Sequence, residues 1–600
     1  MVGPKKTPLA SLVEGLQDST EYGVGDLSTI DQSVAEIKAV LDQANGGLPS
    51  LSRDPSLLLR MEERPHGNIW EAIFDLGTIR RLVNLANEIV DLRDATVQFM
   101  HRIWRLLMPW LTYLHPGNGF LPLIDPGYSR QSIAYMETMI ELYSAIFRIS
   151  TDTITPQLVD LFRQTPHIYR MLVETWLNFP TYLLTDKGRY EGTRYLTNLG
   201  YLVDAMGAAL DSQPGLVEGE LISEVLRVQI LAAVKSRTLR LYEGAIHVLR
   251  VGLDQYIPRP PPDLVEKYGD KMKWYRPGGR VDAPHPLAEY AIQRQLHILL
   301  FLVDKIPLRH YPRDLIRSIV QQASRMHTDE QRVAICNFLG WIWFLDEDCR
   351  SMTWSIRDGI LPLIVTNNVN EELSYALNML AMKSVHMPVT RALAAIGGPP
   401  SFSRKNLPDE AAVAALDVEL KKRIDIMRSL HSRVCSNPQC ASSGERARAT
   451  RRCVCFEAFY CSSECQRARR KTHKDHCIDR AHHKLDPETP FERPIDAYFV
   501  SKLTMDYVER FHDTIVADIK QAMSDTPGSL TCIVTVDFTM IPTPEHTAQA
   551  AFSDTPELLR YARKADDVLV KVCLKIFGGE ATGAAVVLRL SLSDLSVRAY

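Results

Sequence analysis

The sequence predicts a mainly α protein: a long irregular helical array, then a small metal-bound module, then a small α+β domain. Three observations predict it. Apolar residues recur near every 3.6 positions through most of residues 67–395, with almost no strand-like alternation. Seven of the eleven cysteines fall between 435 and 477. After residue 490 the pattern changes to one helix followed by alternating segments.

Residues 1–65 hold one or two short helical patterns, such as 29–43, before Gly46, Gly47 and Pro49 break the chain. A loosely attached N-terminal arm is expected there. The array, 66–395, has helical spacing at 78–114, 131–149, 155–184, 194–211, 220–256, 286–306, 312–325, 328–349 and 371–384. Thr328 followed by Asp329, Glu330 and Gln331 is a capping-box arrangement, and Asn370-Glu371-Glu372 is a similar start. Residues 333–345 are apolar nearly all round, so this helix must be covered on several sides. The run Gly359-Ile360-Leu361-Pro362-Leu363-Ile364-Val365 resembles the turn and next helix of an armadillo or HEAT layer. An armadillo/HEAT-like α-solenoid or irregular array is therefore expected, although no clean repeat of that period is visible. The proline-rich stretch from Ile257 to Pro286 reads as a long loop.

Residues 396–431 read as a Gly-Pro linker and a helix from 409 to 431. The cysteine module is 432–480. Residues 490–600 read as the α+β domain, with a helix at 499–524 and strands at 533–540, 568–576 and 586–592. The last two strands flank Gly578-Gly579 and suggest a hairpin.

Composition narrows the function classes. Hydrophobic residues are 46% and charged residues 24% of the 600, ordinary globular usage. A net charge of −3 argues against binding nucleic acid or a membrane surface through overall charge. No apolar run approaches the ~18 residues of a membrane span; the longest, 298–303, ends at Asp304 and Lys305. The start, Met1-Val2-Gly3-Pro4-Lys5-Lys6, lacks the apolar core of a signal peptide. An intracellular, reduced setting is expected, in cytoplasm or nucleus, where clustered cysteines bind metal more often than they form disulfides. The remaining cysteines, Cys336, Cys349, Cys532 and Cys573, sit in apolar segments and read as small buried hydrophobes.

The cluster contains Cys435, Cys440, Cys453, Cys455, Cys461, Cys465, His473 and Cys477. Zinc takes four thiolate or imidazole ligands tetrahedrally, so eight ligands make two closed sites. A closed site leaves no position for water or substrate, so both zinc ions would be structural.

The run Phe459-Tyr460-Cys461-Ser462-Ser463-Glu464-Cys465-Gln466, followed by His473-Lys474 and Cys477, resembles the second half of a MYND zinc finger. The layout, with a long helical region before the finger and a short domain after it, resembles a group of fungal MYND-domain proteins of unassigned role. The resemblance implies interleaved ligation. Cys435, Cys440, Cys461 and Cys465 would form the first site, and Cys453, Cys455, His473 and Cys477 the second. It also implies a protein-interaction role, as an adaptor or transcription-associated regulator. Two positions depart from the family pattern. Cys453 and Cys455 are separated by one residue instead of two, which removes the usual knuckle of N–H bonds to sulfur. Arg470 stands where family members that bind Pro-x-Leu peptides carry a tryptophan, although their glutamine is matched by Gln466.

Residues 431–485 hold twelve Lys or Arg and five Asp or Glu, formally +7, or nearer +4 with two zinc ions held by seven thiolates. Arg467, Arg469, Arg470, Lys471 and Lys474 lie together. A solvated face offsetting the anionic zinc centres, a protein-binding face, and a nuclear-targeting or nucleic-acid contact are the three readings. The run lacks interleaved aromatics for stacking bases, which disfavours the last. Enzyme signals are missing: the Asn-His-x-Cys string of SET-type methyltransferases, a Walker loop, Gly-x-Ser-x-Gly and His-Glu-x-x-His are all absent. A non-enzyme is expected; the alternative is an unrecognised active site, such as that of a divergent methyltransferase.

Overall fold

The structure is a computed structural model. It describes residues 6–22, 27–43, 47–57, 67–118, 129–152, 156–182, 192–211, 219–255, 286–346, 348–366, 374–397, 410–430, 435–440, 451–453, 458–481, 494–527, 529, 531–539, 544–551, 567–575, 581–591 and 597–599. The expected loop at 257–286, the Gly-Pro linker, and the helix start at 370–372 fall almost entirely outside the described residues. The chain divides into two compact units, Met1–Leu308 with Arg325–Ala334, and Arg309–Ser324 with Ile335–Tyr600. The division falls inside the helical region.

The first unit is a layered helical array. Helices Gly67–Glu88, Ser129–Asp152, Gly192–Asp211 and Pro286–Lys305 pack side by side in that order. Val90–Leu114, Pro156–Gln164, His167–Tyr182, Gly219–Ala233 and Thr238–Gln255 alternate with them in sequence and pack among themselves. Each helix touches mainly its neighbours, the stacking logic that solenoids use. Close approach is possible where Gly244 leaves room: a Cβ there would come within 2.9 Å of Leu177. Buried polar groups bolt the helices together. Trp176 Nε1 donates to Gln295 Oε1 (2.8 Å), and Gln295 Nε2 donates to Ala245 O (3.0 Å).

Several helices expected as single rods are pairs. The 78–114 pattern is interrupted at Ile89, which is extended. The 220–256 pattern is interrupted at Lys235 and Ser236, both at positive φ. The 155–184 pattern is interrupted at Thr165-Pro166, where proline cannot donate to the helix ladder. Thr328 caps the helix as expected, Gln331 N donating to Thr328 Oγ1 (3.2 Å), while the Gln331 side chain reaches one residue further back than in a capping box and accepts from His327 N (3.2 Å).

The N-terminal segment is not loosely attached. Helices Pro8–Tyr22 and Leu27–Leu41 pack on each other, the first also on Gly67–Glu88 and the second on Val90–Leu114. Leu9, Val13, Leu16, Ile37 and Leu41 are buried, because their spacing puts them on one face of each helix. Further along, Asp75 is buried and accepts a hydrogen bond from Ser50 N (3.2 Å). Burial pushes its carboxyl up to about 6, against the Ser50 hydrogen bonds that lower it. The unfolded chain ionises near the ordinary aspartate value, so between there and about pH 6 the folded state holds the extra proton. Stability therefore falls as pH rises through that window and is flat above it. Asp75→Asn keeps an acceptor without the charge. It is expected to raise the unfolding free energy at neutral pH, by an amount on the order of 2 kcal/mol or less, read as a higher melting temperature, and to lose that gain near pH 4. A gain independent of pH would rule out the charge as its cause.

In the second unit, helices Arg313–Ala323, Arg350–Arg357, Met387–Ala395 and Glu410–Ser429 lead to a five-stranded sheet. Two further short strands, β1 (Arg451–Arg452) and β2 (Phe459–Tyr460), precede it and belong to the cysteine module. In the sheet β3 (Thr531–Asp537), β4 (Glu545–Ala551), β5 (Asp567–Lys575), β6 (Ala581–Ser591) and β7 (Val597–Ala599) lie in the order β4-β3-β5-β6-β7. β3 and β5 are parallel and the other pairs antiparallel. The expected hairpin is β5–β6, with Lys575 opposite Ala581. The expected 499–524 helix is two, Pro494–Arg510 and His512–Asp525. Val534, Val536 and Phe538 of β3 and its end join Val568, Val570 and Val572 of β5 in one core with Phe499, Leu503, Tyr507, Ile515 and Ile519 of these helices.

Helix Glu410–Ser429 belongs to this core as well, through Met427. It is tied to Pro494–Arg510 by Lys422 Nζ–Asp506 Oδ2 (3.0 Å) and Arg510 Nη2–Glu419 Oε2 (3.3 Å). The cysteine module is thus an excursion of the chain between two helices that are clamped together.

Candidate metal centre

The module's local structure follows from a few polar residues. β1 and β2 pair antiparallel, Arg451 opposite Tyr460 and Arg452 opposite Phe459. Ser436 locks the first cysteine loop to β2: its N donates to Phe459 O (2.6 Å), and its Oγ accepts from Phe459 N (2.9 Å). Asn437 makes the turn before Cys440, its Oδ1 accepting from Gln439 N (3.2 Å) and its O from Cys440 N (3.1 Å). Helix Ser463–Ala481 starts at Ser462, whose Oγ accepts from Cys465 N (3.3 Å), an N-cap that fixes Cys465 in the first turn.

These elements bring four thiols together. The sulfurs of Cys435, Cys440, Cys461 and Cys465 all lie within 4.8 Å of one another. Cys461 Sγ is 3.5 Å from Cys440 Sγ and 3.6 Å from Cys465 Sγ. Thiolates on a tetrahedral zinc with Zn–S of ~2.3 Å stand about 3.7 Å apart, so the donor set fits zinc. Without a cation the sulfurs cannot all ionise. The Cys461 thiol is pushed up to about 12, chiefly by its hydrogen bond with Cys440, while the Asn437 side chain leads in drawing Cys465 down to about 7. A bound dication reverses this by holding all four as thiolates. Around them the core is very small: Ala458 and Tyr460 are its only other fully buried members among the described residues. The metal therefore substitutes for a hydrophobic core.

Of the other four predicted ligands, two are in contact. His473 Nε2 lies 3.3 Å from Cys453 Sγ, and Cys453 N donates to Ala458 O (2.9 Å). Cys455 lies outside the described residues. Cys477 sits on the helix four residues after His473, and its side chain lies outside them. One helix carries Cys465, His473 and Cys477, with Cys465 and His473 about 12 Å apart along its axis. Gln466 is half-buried, and Arg470 one turn later is exposed. Cys336, Cys349 and Cys532 are buried, and burial pushes Cys336 and Cys349 up to about 12, which makes them inert. The Cys573 side chain lies outside the described residues.

The ligand cysteines are legible from spacing, while Ser436 and Asn437 are not, since each acts through its own loop's shape. Ser462, three residues before Cys465, has the position of a helix cap and could have been found that way.

Among the described residues no helix is long and apolar enough to cross a membrane. Residues 437–477 match the family model of the MYND finger, a zinc-binding module that generally mediates protein interactions. No curated protein and no solved structure matches the chain.

Proposed function

We propose that this chain is an adaptor or transcription-associated regulator, acting in cytoplasm or nucleus, whose MYND finger and helical surface hold protein partners without catalysis. The observation that carries this reading is the four-cysteine cluster, which as thiolates would fill all four positions of a tetrahedral zinc. Such a metal can shape a surface but cannot bind or activate a substrate. The test is cross-linking capture from cells with the intact chain and with Cys461→Ser. The reading expects partners that the variant loses. An identical set of captured proteins would mean that the finger holds none of them.

The finger is proposed to take two structural zinc ions. Cys453 and His473 in contact, with Cys477 one turn further on, are the support for the second. Native mass spectrometry is expected to find two zinc ions per chain. One ion, with Cys453 and Cys455 open to alkylation, would remove the second site.

The partner is not expected to use a Pro-x-Leu groove of the family's usual kind. Arg470 is exposed and charged where an aromatic wall would stand. Binding of such peptides to the intact chain should be weak or undetectable. Arg470→Trp should strengthen it, and Arg470→Ala should not. Tight binding by the unaltered protein, with no gain from tryptophan, would place the groove elsewhere.

A further inference from the structure

The helix of the finger carries its ligand row and its exposed cations in neighbouring sectors. At about 100° per residue, Cys465, Arg469, His473 and Cys477 form one row. Among these, Cys465 is buried and Arg469 and His473 half-buried. Arg467, Arg470, Lys471 and Lys474 fall within a sector of about 100° beside it, and all four are exposed.

This placement bears on what the charges do. Cations that offset the anionic zinc centres belong on the ligand row, and there only Arg469 stands. Arg467, Lys471 and Lys474 point away from the metal row, and Arg470 lies at its edge, about 20° from Cys477 around the axis. Among the described residues, Arg470, Lys471 and Lys474 have no carboxylate partner, and Arg467 meets only Glu464 at 3.5 Å, with side chains 75% and 73% exposed. A pair so open to water is weak and easily exchanged. The stripe is about 10 Å long, and none of its own members is aromatic. It therefore offers cations at helical spacing with no platform for stacking bases.

We propose that this face of the finger helix, Arg467, Arg470, Lys471 and Lys474, is the docking surface for an acidic peptide segment of a partner protein. The proposal rests on the reading of the finger as a protein-interaction module and names the chemistry of its partner. Four cations along one helix face suit carboxylates placed every one or two turns, as on an acidic strand or helix. Arginine contributes bidentate contacts and the lysines point charges. Such a surface sets encounter rate and partner choice through charge, and its affinity falls with salt.

The test uses the full zinc-loaded chain and three fluorescent probes: a glutamate-rich peptide, its glutamine counterpart, and a single-stranded oligonucleotide of the same charge as the first. The protein is compared with the combined variant Arg467→Gln, Arg470→Gln, Lys471→Gln, Lys474→Gln, and with a control, Arg428→Gln, Lys520→Gln, on other exposed positions of the same unit. All three proteins should hold equal zinc, since none of the substitutions touches a ligand. The glutamate peptide should bind the unaltered chain and the control alike, about tenfold or more weaker to the combined variant, and progressively less as salt is raised. The glutamine peptide should not bind. Equal binding of the glutamate peptide to all three proteins, or tighter and stripe-dependent binding of the oligonucleotide, would overturn the proposal. If cell partners are still lost with Cys461→Ser while no acidic peptide binds, the stripe is refuted and the interaction role of the finger stands.

Discussion

Cys461→Ser is expected to unfold the finger and leave the rest of the second unit folded. Cys461 is the central thiol of the cluster, 3.5 Å from Cys440 Sγ and 3.6 Å from Cys465 Sγ. A hydroxyl there is a poor zinc ligand, and three thiolates hold the ion far less well than four. Structural zinc in isolated fingers contributes about 10–16 kcal/mol of apparent binding energy. The few buried side chains around these sulfurs cannot replace that. The surroundings do not share the loss, because helices Glu410–Ser429 and Pro494–Arg510 are joined directly by Lys422–Asp506 and Arg510–Glu419. Hydrogen exchange should show protection gone from 435–481 and kept in 410–429 and 494–525. Far-UV helicity should fall only by the finger helix, and the main thermal transition should stay in place. Aggregation of the whole chain on chelation would show instead that the finger is a structural part of the unit.

What the sequence made legible depended on whether the decisive contact was local. The long helices were readable because apolar spacing reports burial of one face, as in 286–305 and 313–323. Their interruptions were less so. Ile89, Lys235 and Phe511 are not turn-forming types, and Ser236, which is one, stands in a run without glycine or proline, so neither kind of position marks a break. β4 was missed because Glu-His-Thr-Ala-Gln-Ala-Ala lacks an apolar alternation. It is an edge strand, paired with β3 alone, and its inward positions are His546, Ala548 and Ala550. At the candidate site, spacing identified the thiols as metal ligands, but grouping four of them needed the family resemblance. The structure brings Cys435 and Cys440 to Cys461 and Cys465 because Ser436 ties their loop to β2. The helix at 410–429 was readable, and the spacing of Leu416, Leu420, Ile424 and Met427 reports its buried face; what the sequence did not announce is that the charged residues Glu419 and Arg423 are buried with them.

Arg423 is the centre of that helix, and Arg423→Met is expected to be among the most destabilising single changes in the second unit. The residue is 2% exposed. Its Nε donates to Glu419 Oε1 (3.1 Å), and its Nη1 donates to Ala381 O (2.6 Å) and Ser384 Oγ (2.6 Å). Its guanidinium lies 5.8 Å from the centre of the Phe538 ring, so one side chain joins the C-terminal end of helix Ser374–Lys383, this helix and the end of β3. Removing it leaves Glu419, 3% exposed, with only Arg510 to neutralise it, and leaves Ala381 O without this donor. Breaking one partner of a buried pair typically costs about 3–5 kcal/mol. Arg423→Lys should recover little, because a single ammonium cannot reproduce the fork that reaches three acceptors. Arg423→Met combined with Glu419→Met should recover most of the loss, since the stranded carboxylate is gone as well. The readout is hydrogen exchange in 410–429 and 531–537, where opening should become about a hundredfold or more easier in the single variant. If the double variant is as unstable as the single one, the loss comes from the unsatisfied Ala381 and Ser384 oxygens and the emptied space, and the charge pair contributes little.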